Sequence, residues 1–196
     1  PRLRKGRRQN DSLGHCVLMN VTVYLSAQAG NDTSIRDDII SFGRFLGEKG
    51  HCLVYGGSRS GLMGVIADSA LEAGGKVIGV EPRFFVEAEF QHDGITELIV
   101  TETMNERKEK LMELSDVIVA FPGSTGTLEE IADAASAIKM GMLDRKLIIY
   151  DHKGFYRPLR ELFSGMVKRD YIKDSELSNI IFASDLEELE LLLENA

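Results

Sequence analysis

The sequence predicts a doubly wound α/β fold, a mainly parallel sheet with helices on both faces. Three observations carry that reading. Short β-branched runs alternate with helical periodicity along the chain, which calls for parallel strands joined by right-handed crossovers. The run Val117-Ile118-Val119-Ala120-Phe121 is apolar throughout, as a strand buried on both faces requires. It stops at Pro122-Gly123 and passes through Ser124, Thr125, Gly126 and Thr127 into a helix, with Ile131, Ala134, Ala135 and Ile138 at helical spacing.

The other elements follow in order. Val21-Thr22-Val23-Tyr24-Leu25 reads as the first strand, and Ser26 to Asn31 as a loop of small residues. Asp32 or Thr33 caps a helix to about Lys49, with Ile35, Ile39, Phe42, Phe45 and Leu46 on one face, and Gly50 ends it. Cys52-Leu53-Val54-Tyr55 is the second strand. It empties into Gly56-Gly57-Ser58-Arg59-Ser60-Gly61 and a helix from Leu62 to Ala73. Lys76 to Val80 is the third strand, ended by Pro82. Residues 83–95, with Phe84, Phe85, Val86 and Phe90, read as a short helix or a lid. Leu98-Ile99-Val100 is the fourth strand. Thr103 starts a helix to about Leu114, with a possible capping box to Glu106. After the fifth strand and its helix to about Met140, Lys146 to Tyr150 is the sixth strand. A helix from Gly154 to about Lys168 follows, with Phe155, Leu159, Leu162, Phe163 and Met166 on one side. Ile180-Ile181-Phe182 is a last strand before a helix from Asp185.

The bulk properties narrow the class. A chain of 196 residues with 43% apolar and 28% charged residues suits one domain with a sizeable core. Its longest apolar runs are strand-sized, short of the ~20 residues of a membrane span. Cys16 and Cys52 form no C-x-x-C pair, so a reducing, cytoplasmic compartment is expected. His15, His51, His92 and His152 are scattered, and no protein-bound metal is expected.

Charge is uneven. Residues 1–18 hold Arg2, Arg4, Lys5, Arg7 and Arg8 against Asp11, a net of +4, which leaves −12 for the rest of a chain at −8. So acidic a body argues against nucleic-acid binding. The basic stretch lacks apolar periodicity and stops just before Met19. Residues 1–18 therefore read as a disordered or expression-derived extension, and 19–196 as a single domain. The competing reading is a short arm that touches an anionic partner.

In such sheets ligands sit beyond the carboxyl ends of the strands. The loops after strands two, four and five share that edge, with Gly56-Gly57, Met104 to Lys108, and Pro122 to Thr127. The last is a phosphate cradle in form: small residues at a helix N-terminus leave backbone N–H groups and the helix dipole facing an anion. Glu130 lies one turn beyond. Thr127-x-x-Glu130 also fits a capping box, in which Glu130 only closes the helix start. Arg107 heads a stripe with Leu111 and Leu114 at i+4 and i+7. It either faces a ligand site or lays its stem on the core with its head in water. Lys108 is adjacent. Cation and carboxylate beside a phosphate turn suit a nucleotide or sugar phosphate. There is no G-x-x-x-x-G-K-[ST] and so no P-loop, no G-x-G-x-x-G after the first strand to support a standard dinucleotide site, and no G-x-S-x-G hydrolase elbow. Ser58 and Ser60 have no His partner in sequence and read as turn residues.

These stretches resemble the LOG ("lonely guy") family, long labelled putative lysine decarboxylases. Gly56 to Gly64, Met104 to Lys108 (M-x-E-R-K) and Pro122 to Glu130 (P-G-G-x-G-T-x-x-E) carry the likeness, which spans about Val21 to the C-terminus. The resemblance implies a Rossmann-like nucleotide-binding domain and a phosphoribohydrolase that splits cytokinin (adenosine-type) nucleoside 5′-monophosphates into free base and ribose 5-phosphate. It places the catalytic pair on Arg107 and Glu130. Substrate binding falls on Gly56, Gly57, Met104, Lys108, Gly123, Ser124, Thr125, Gly126 and Thr127. It implies an AMP-like ligand, no cofactor, and a homodimer, with the Ile131 to Met140 helix as interface face. The chain departs from the family pattern at Ser124, at Ser58, at Leu25-Ser26-Ala27-Gln28, where C-G-S-S is typical, and in having no Trp. Those departures leave open a nucleotide sensor or carrier without turnover, or a broader purine-nucleotide nucleosidase. Lysine decarboxylation comes last, since nothing marks a Schiff-base lysine.

Overall fold

The computed structural model describes residues 18–88 and 90–196; the expected N-terminal extension lies outside them except for Leu18. Seven strands, β1 (Asn20–Tyr24), β2 (Cys52–Tyr55), β3 (Lys76–Pro82), β4 (Glu97–Thr101), β5 (Val117–Ala120), β6 (Lys146–Tyr150) and β7 (Ile180–Ala183), form one sheet in the order β4-β3-β2-β1-β5-β6-β7. Every pair is parallel. The helices are α1 (Thr33–Glu48), α2 (Gly61–Glu72), α3 (Arg83–Glu87), α4 (Met104–Leu114), α5 (Thr125–Lys139), α6 (Arg157–Lys168) and α7 (Leu186–Glu194). The doubly wound α/β expectation holds.

Strand alternation sorts the core into two layers. Val21, Val23, Leu53, Tyr55 and Val77 pack under α1, α2 and α7, with Phe42, Ile66 and Leu189. Tyr24, Val54, Val80, Ile118 and Ala120 pack under α4, α5 and α6, with Leu111, Ile131 and Leu159. Thr22 is a fully buried polar residue among them, and its hydroxyl donates to the Leu111 carbonyl at 3.1 Å, which satisfies it. Among the described residues no helix is long and apolar enough to cross a membrane.

Strand order positions the site. The chain builds outward from β1 to the β4 edge, then α4 recrosses beneath β3 and β2 to reach β5 on the far side of β1. The switch point therefore lies between β1 and β5, and the first turn of α4 is carried under the carboxyl ends of β2 and β3. That return explains how an edge-strand loop delivers Arg107 to the middle of the sheet.

Three expectations need correction. β3 runs two residues further than expected, to Pro82, which pairs with Thr101; a proline near the end of a strand costs little ladder bonding. Beyond β6 the chain first makes a 3₁₀ turn at His152–Gly154, so α6 starts at Arg157 rather than Gly154. On its expected apolar side Phe155 and Leu162 are exposed, while Leu159 and Phe163 pack against the core. Residues 83–95 do contain a short helix, α3. Backbone bonds from Arg59 to the Phe90 carbonyl and from His92 to the Gly57 carbonyl tether its trailing loop to the Gly56–Ser58 turn.

Candidate active site

α5 begins at Thr125 with Ser124 as its N-cap, and the Ser124 side chain makes no capping bond. The backbone N–H groups of the first turn therefore have no side-chain cap and face outward beside exposed Ser124, Thr125 and Gly126. Thr127 is buried in this turn, and a Cβ on Gly123 would collide with its side chain, so the cradle closes tightly. With the helix starting at Thr125, Thr127 is not the N-cap. The capping-box reading of Thr127 and Glu130 is thereby overturned, and Glu130 is free for another partner.

That partner is Arg107. Its Nη1 donates to Glu130 Oε1 at 3.0 Å, and its Nε donates to the Val80 carbonyl at 3.0 Å. Nη2 faces the Gly56 carbonyl at 3.5 Å. Both side chains are only 8% exposed, so Arg107 does not snorkel. Three elements thus clamp one guanidinium: β3 through a carbonyl, the β2 turn through Gly56, and α5 through Glu130. Burial pushes the Glu130 carboxyl up, and Arg107 partly offsets that. Tyr24 and Tyr156 close the same region. Burial raises both phenols, the charge of Glu130 raises them further, and Tyr156 OH donates to the Phe121 carbonyl at 2.8 Å.

Gly56 fits here because it has no side chain. A Cβ would meet Arg107 Nη2, so Gly56→Ala is expected to displace the guanidinium and lower turnover about 100-fold while the protein stays folded. Steady-state kinetics beside a circular-dichroism melt check this. Gly57 has φ +85°, and a Cβ there would strike the Glu81 carboxylate.

The expected site residues do not all converge. Lys108 turns to α5, where its Nζ lies 2.7 Å from both Glu129 and Asp133, and these bonds hold its ammonium above the usual lysine range. Met104 opens α4 and is half-buried. Thr103 caps α4 by accepting from Glu106 N–H, but the Glu106 carboxylate accepts from Glu102 N–H, one residue short of a true box. Ser58 and Ser60 are turn residues as expected, with Ser60 N–H donating to Ser58 Oγ.

At the switch point a cavity of about 490 Å³ is lined by the loops after β1, β5 and β6, among them Ser26, Gln28, Pro122, Gly123, Ser124 and His152. That volume suits a small ligand. Its wall is a polar clasp that sequence reading missed. His152 Nδ1 lies 2.8 Å from Asp38 and Nε2 3.0 Å from Ser34 Oγ; Lys153 Nζ donates to Asp32 and Ser34. Ser, His and Asp are in line, yet this is no nucleophile. The Ser34 hydroxyl donates to Asp32 Oδ1 at 2.6 Å, so its proton is committed to a carboxylate. The only sequence signal was the unusual pair His152-Lys153 just before Gly154.

Burial pushes the Glu81 carboxyl up to about 7, and Arg107 partly counters the rise. Such a group favours the fold below the unfolded carboxylate pKa and withdraws that support as pH rises to about 7. Going from pH 5 to 8 should therefore cost the wild type on the order of 2–3 kcal/mol more than Glu81→Gln, read as urea midpoints.

The model of a family described as possible lysine decarboxylase matches residues 63–192. A cytokinin riboside 5′-monophosphate phosphoribohydrolase of Rhodococcoides fascians is 34% identical over 169 residues, covering 86% of this chain and 85% of that protein. The Arabidopsis thaliana enzyme of that name, LOG1, is 30% identical over 175 residues, 89% of this chain and 82% of its own. Among solved structures, the molybdenum cofactor carrier protein of Chlamydomonas reinhardtii superposes with a TM-score of 0.71 over 91% of this chain and 97% of that one. At 21% identity that likeness shows the fold alone.

Proposed function

This chain belongs to the LOG family, and from that premise we propose that it hydrolyses the N-glycosidic bond of adenosine-type nucleoside 5′-monophosphates, releasing free base and ribose 5-phosphate. The observation that carries the reading is the buried Arg107–Glu130 pair beside an uncapped helix N-terminus.

The chemistry follows from charge. The 5′-phosphate binds the N–H groups of Thr125, Gly126 and Thr127 at the positive end of α5. Breaking the C1′–N bond builds cationic character on the ribose, which an anionic Glu130 stabilises at short range in a low-dielectric site. Arg107 favours the ionised form of Glu130 against its burial and directs the rest of its charge at the departing base. A guanidinium is too weak an acid to protonate that base. Water supplies the hydroxyl at C1′ and its other proton completes the base.

Decarboxylation fits poorly. A Schiff-base lysine needs a lowered pKa, whereas Lys108 is bonded to two carboxylates that raise it. We assign the protein to a reducing compartment, in keeping with the free thiol of Cys52. We also propose a homodimer. Ile131, Ala134, Ala135 and Ile138 are spent on the chain's own core, so exposed Leu128, Met140 and Met142 are the residues of α5 and its exit left to pair.

The test is incubation with AMP and isopentenyladenosine monophosphate, with products separated by chromatography. Free base and ribose 5-phosphate are expected from at least one. Saturable AMP binding without base release from any monophosphate would replace the hydrolase with a sensor or carrier.

A further inference from the structure

Among the described residues three buried side-chain oxygens lack a hydrogen-bond partner: Tyr55 OH, Glu81 Oε2 and Gln91 Oε1. They are not scattered. Tyr55 is the last residue of β2, directly before Gly56-Gly57. Glu81 lies against Gly57. Gln91 bridges to Ser58. All three flank the glycine turn that receives the Arg107 guanidinium. Each buried polar atom without a partner calls for a physical reason, and these three share one turn.

Glu81 is the group in that cluster that can change charge near neutrality. It is 2% exposed, on the strand whose Val80 carbonyl accepts from Arg107 Nε. The Arg107 guanidinium fills the space where Gly56 would carry a side chain and the Glu81 carboxyl the space beside Gly57, so the two flank successive residues of one turn. Resting on the hydrolase reading above, we propose that Glu81 is a positioning residue for the Arg107–Glu130 pair: neutral, it leaves the guanidinium charge to Glu130 and the departing base, and ionised, it draws that charge toward β3 and slows the reaction.

The surroundings support this. The groups that face Glu81 are Arg107 from α4, which favours its ionised form, and the neutral Tyr55 phenol from β2; Asp68 of α2, engaged with His92 at 2.9 Å, also acts on Tyr55. Ionised Glu81 would place two carboxylates on one guanidinium and would weaken the support Arg107 gives to an anionic Glu130. The two carboxyls then act in opposite senses. The reaction uses an ionised Glu130 and a neutral Glu81, so ionisation of Glu81 gives the pH profile a descending limb.

The experiment is the pH profile, from 5.5 to 8.5, of kcat/KM for base release from AMP and of AMP affinity by calorimetry. Wild type, Glu81→Gln and Glu81→Met are compared, with urea midpoints confirming that each is folded. The substrate phosphate titrates in this range too, but equally for all three proteins. A wild-type fall of about tenfold above pH 7, absent from both neutral variants, is the expected result. A descending limb of equal depth in the variants, or equal loss of activity at every pH, overturns the role. If the wild type releases no base, the hydrolase reading fails, and the affinity profile decides for Glu81 alone: a pH limb lost in both variants supports it, and an unchanged limb overturns it.

Discussion

Glu130→Gln is expected to cut base release from AMP at least ~100-fold, equivalent to ~2.7 kcal/mol of barrier, with AMP affinity altered far less. The reason lies in what the substitution keeps. Gln has the shape of Glu and still offers an oxygen to Arg107 Nη1, now at 3.0 Å from Glu130 Oε1. The phosphate cradle is built from α5 backbone and does not depend on the side chain at 130. What disappears is the negative charge that the proposed mechanism sets against C1′. In a site this dry, a full charge against a developing cation matters far more than it would in water. Glu129→Gln is the control, because Glu129 is exposed and pairs with Lys108 rather than Arg107. Product analysis for both variants checks the claim. Retention of a third or more of wild-type turnover in Glu130→Gln would remove Glu130 from the chemistry.

The fold was legible because each strand is bounded by punctuation. Gly50, Gly74-Gly75 and Pro122 mark turns, and the apolar runs give all seven strands, with β3 running past its expected end into Pro82. The pair Arg107–Glu130 was half legible. The i+4 spacing to Leu111 put Arg107 on a buried face, but a stripe cannot say whether its head reaches water. That depends on α4 recrossing beneath β3, a consequence of strand order, which local periodicity does not encode. Glu81 was missed because the strand was ended at Val80; a charged residue between a buried valine and a proline at a strand's carboxyl end was the available signal. The His152 clasp joins residues more than 110 positions apart, so only topology could reveal it.

Arg107→Met is expected to destabilise the protein by about 3–5 kcal/mol near pH 8, the largest stability loss foreseen for a site residue. Removing the guanidinium leaves the Val80 carbonyl without its donor and the Glu130 carboxyl buried without its counter-charge. Burial already raises the Glu130 pKa, and loss of Arg107 removes what held it down. A carboxyl raised in the fold lends its stability below the unfolded carboxylate pKa and loses it as pH climbs through the folded value. The deficit of the variant must therefore widen from pH 5 to pH 8. The second change that should restore stability is Glu130→Gln: with no carboxyl left to ionise, Arg107→Met/Glu130→Gln should recover a large part of the loss at pH 8 and little at pH 5, a coupling that a double-mutant cycle isolates. Urea midpoints at the two pH values for the four proteins make the measurement. A deficit independent of pH, or additive losses in the double variant, would mean that the pair is not an electrostatic unit in the folded protein. The double variant should also be inactive, so recovered stability would not bring back activity, as expected where a buried charge is kept for chemistry as well as for the fold.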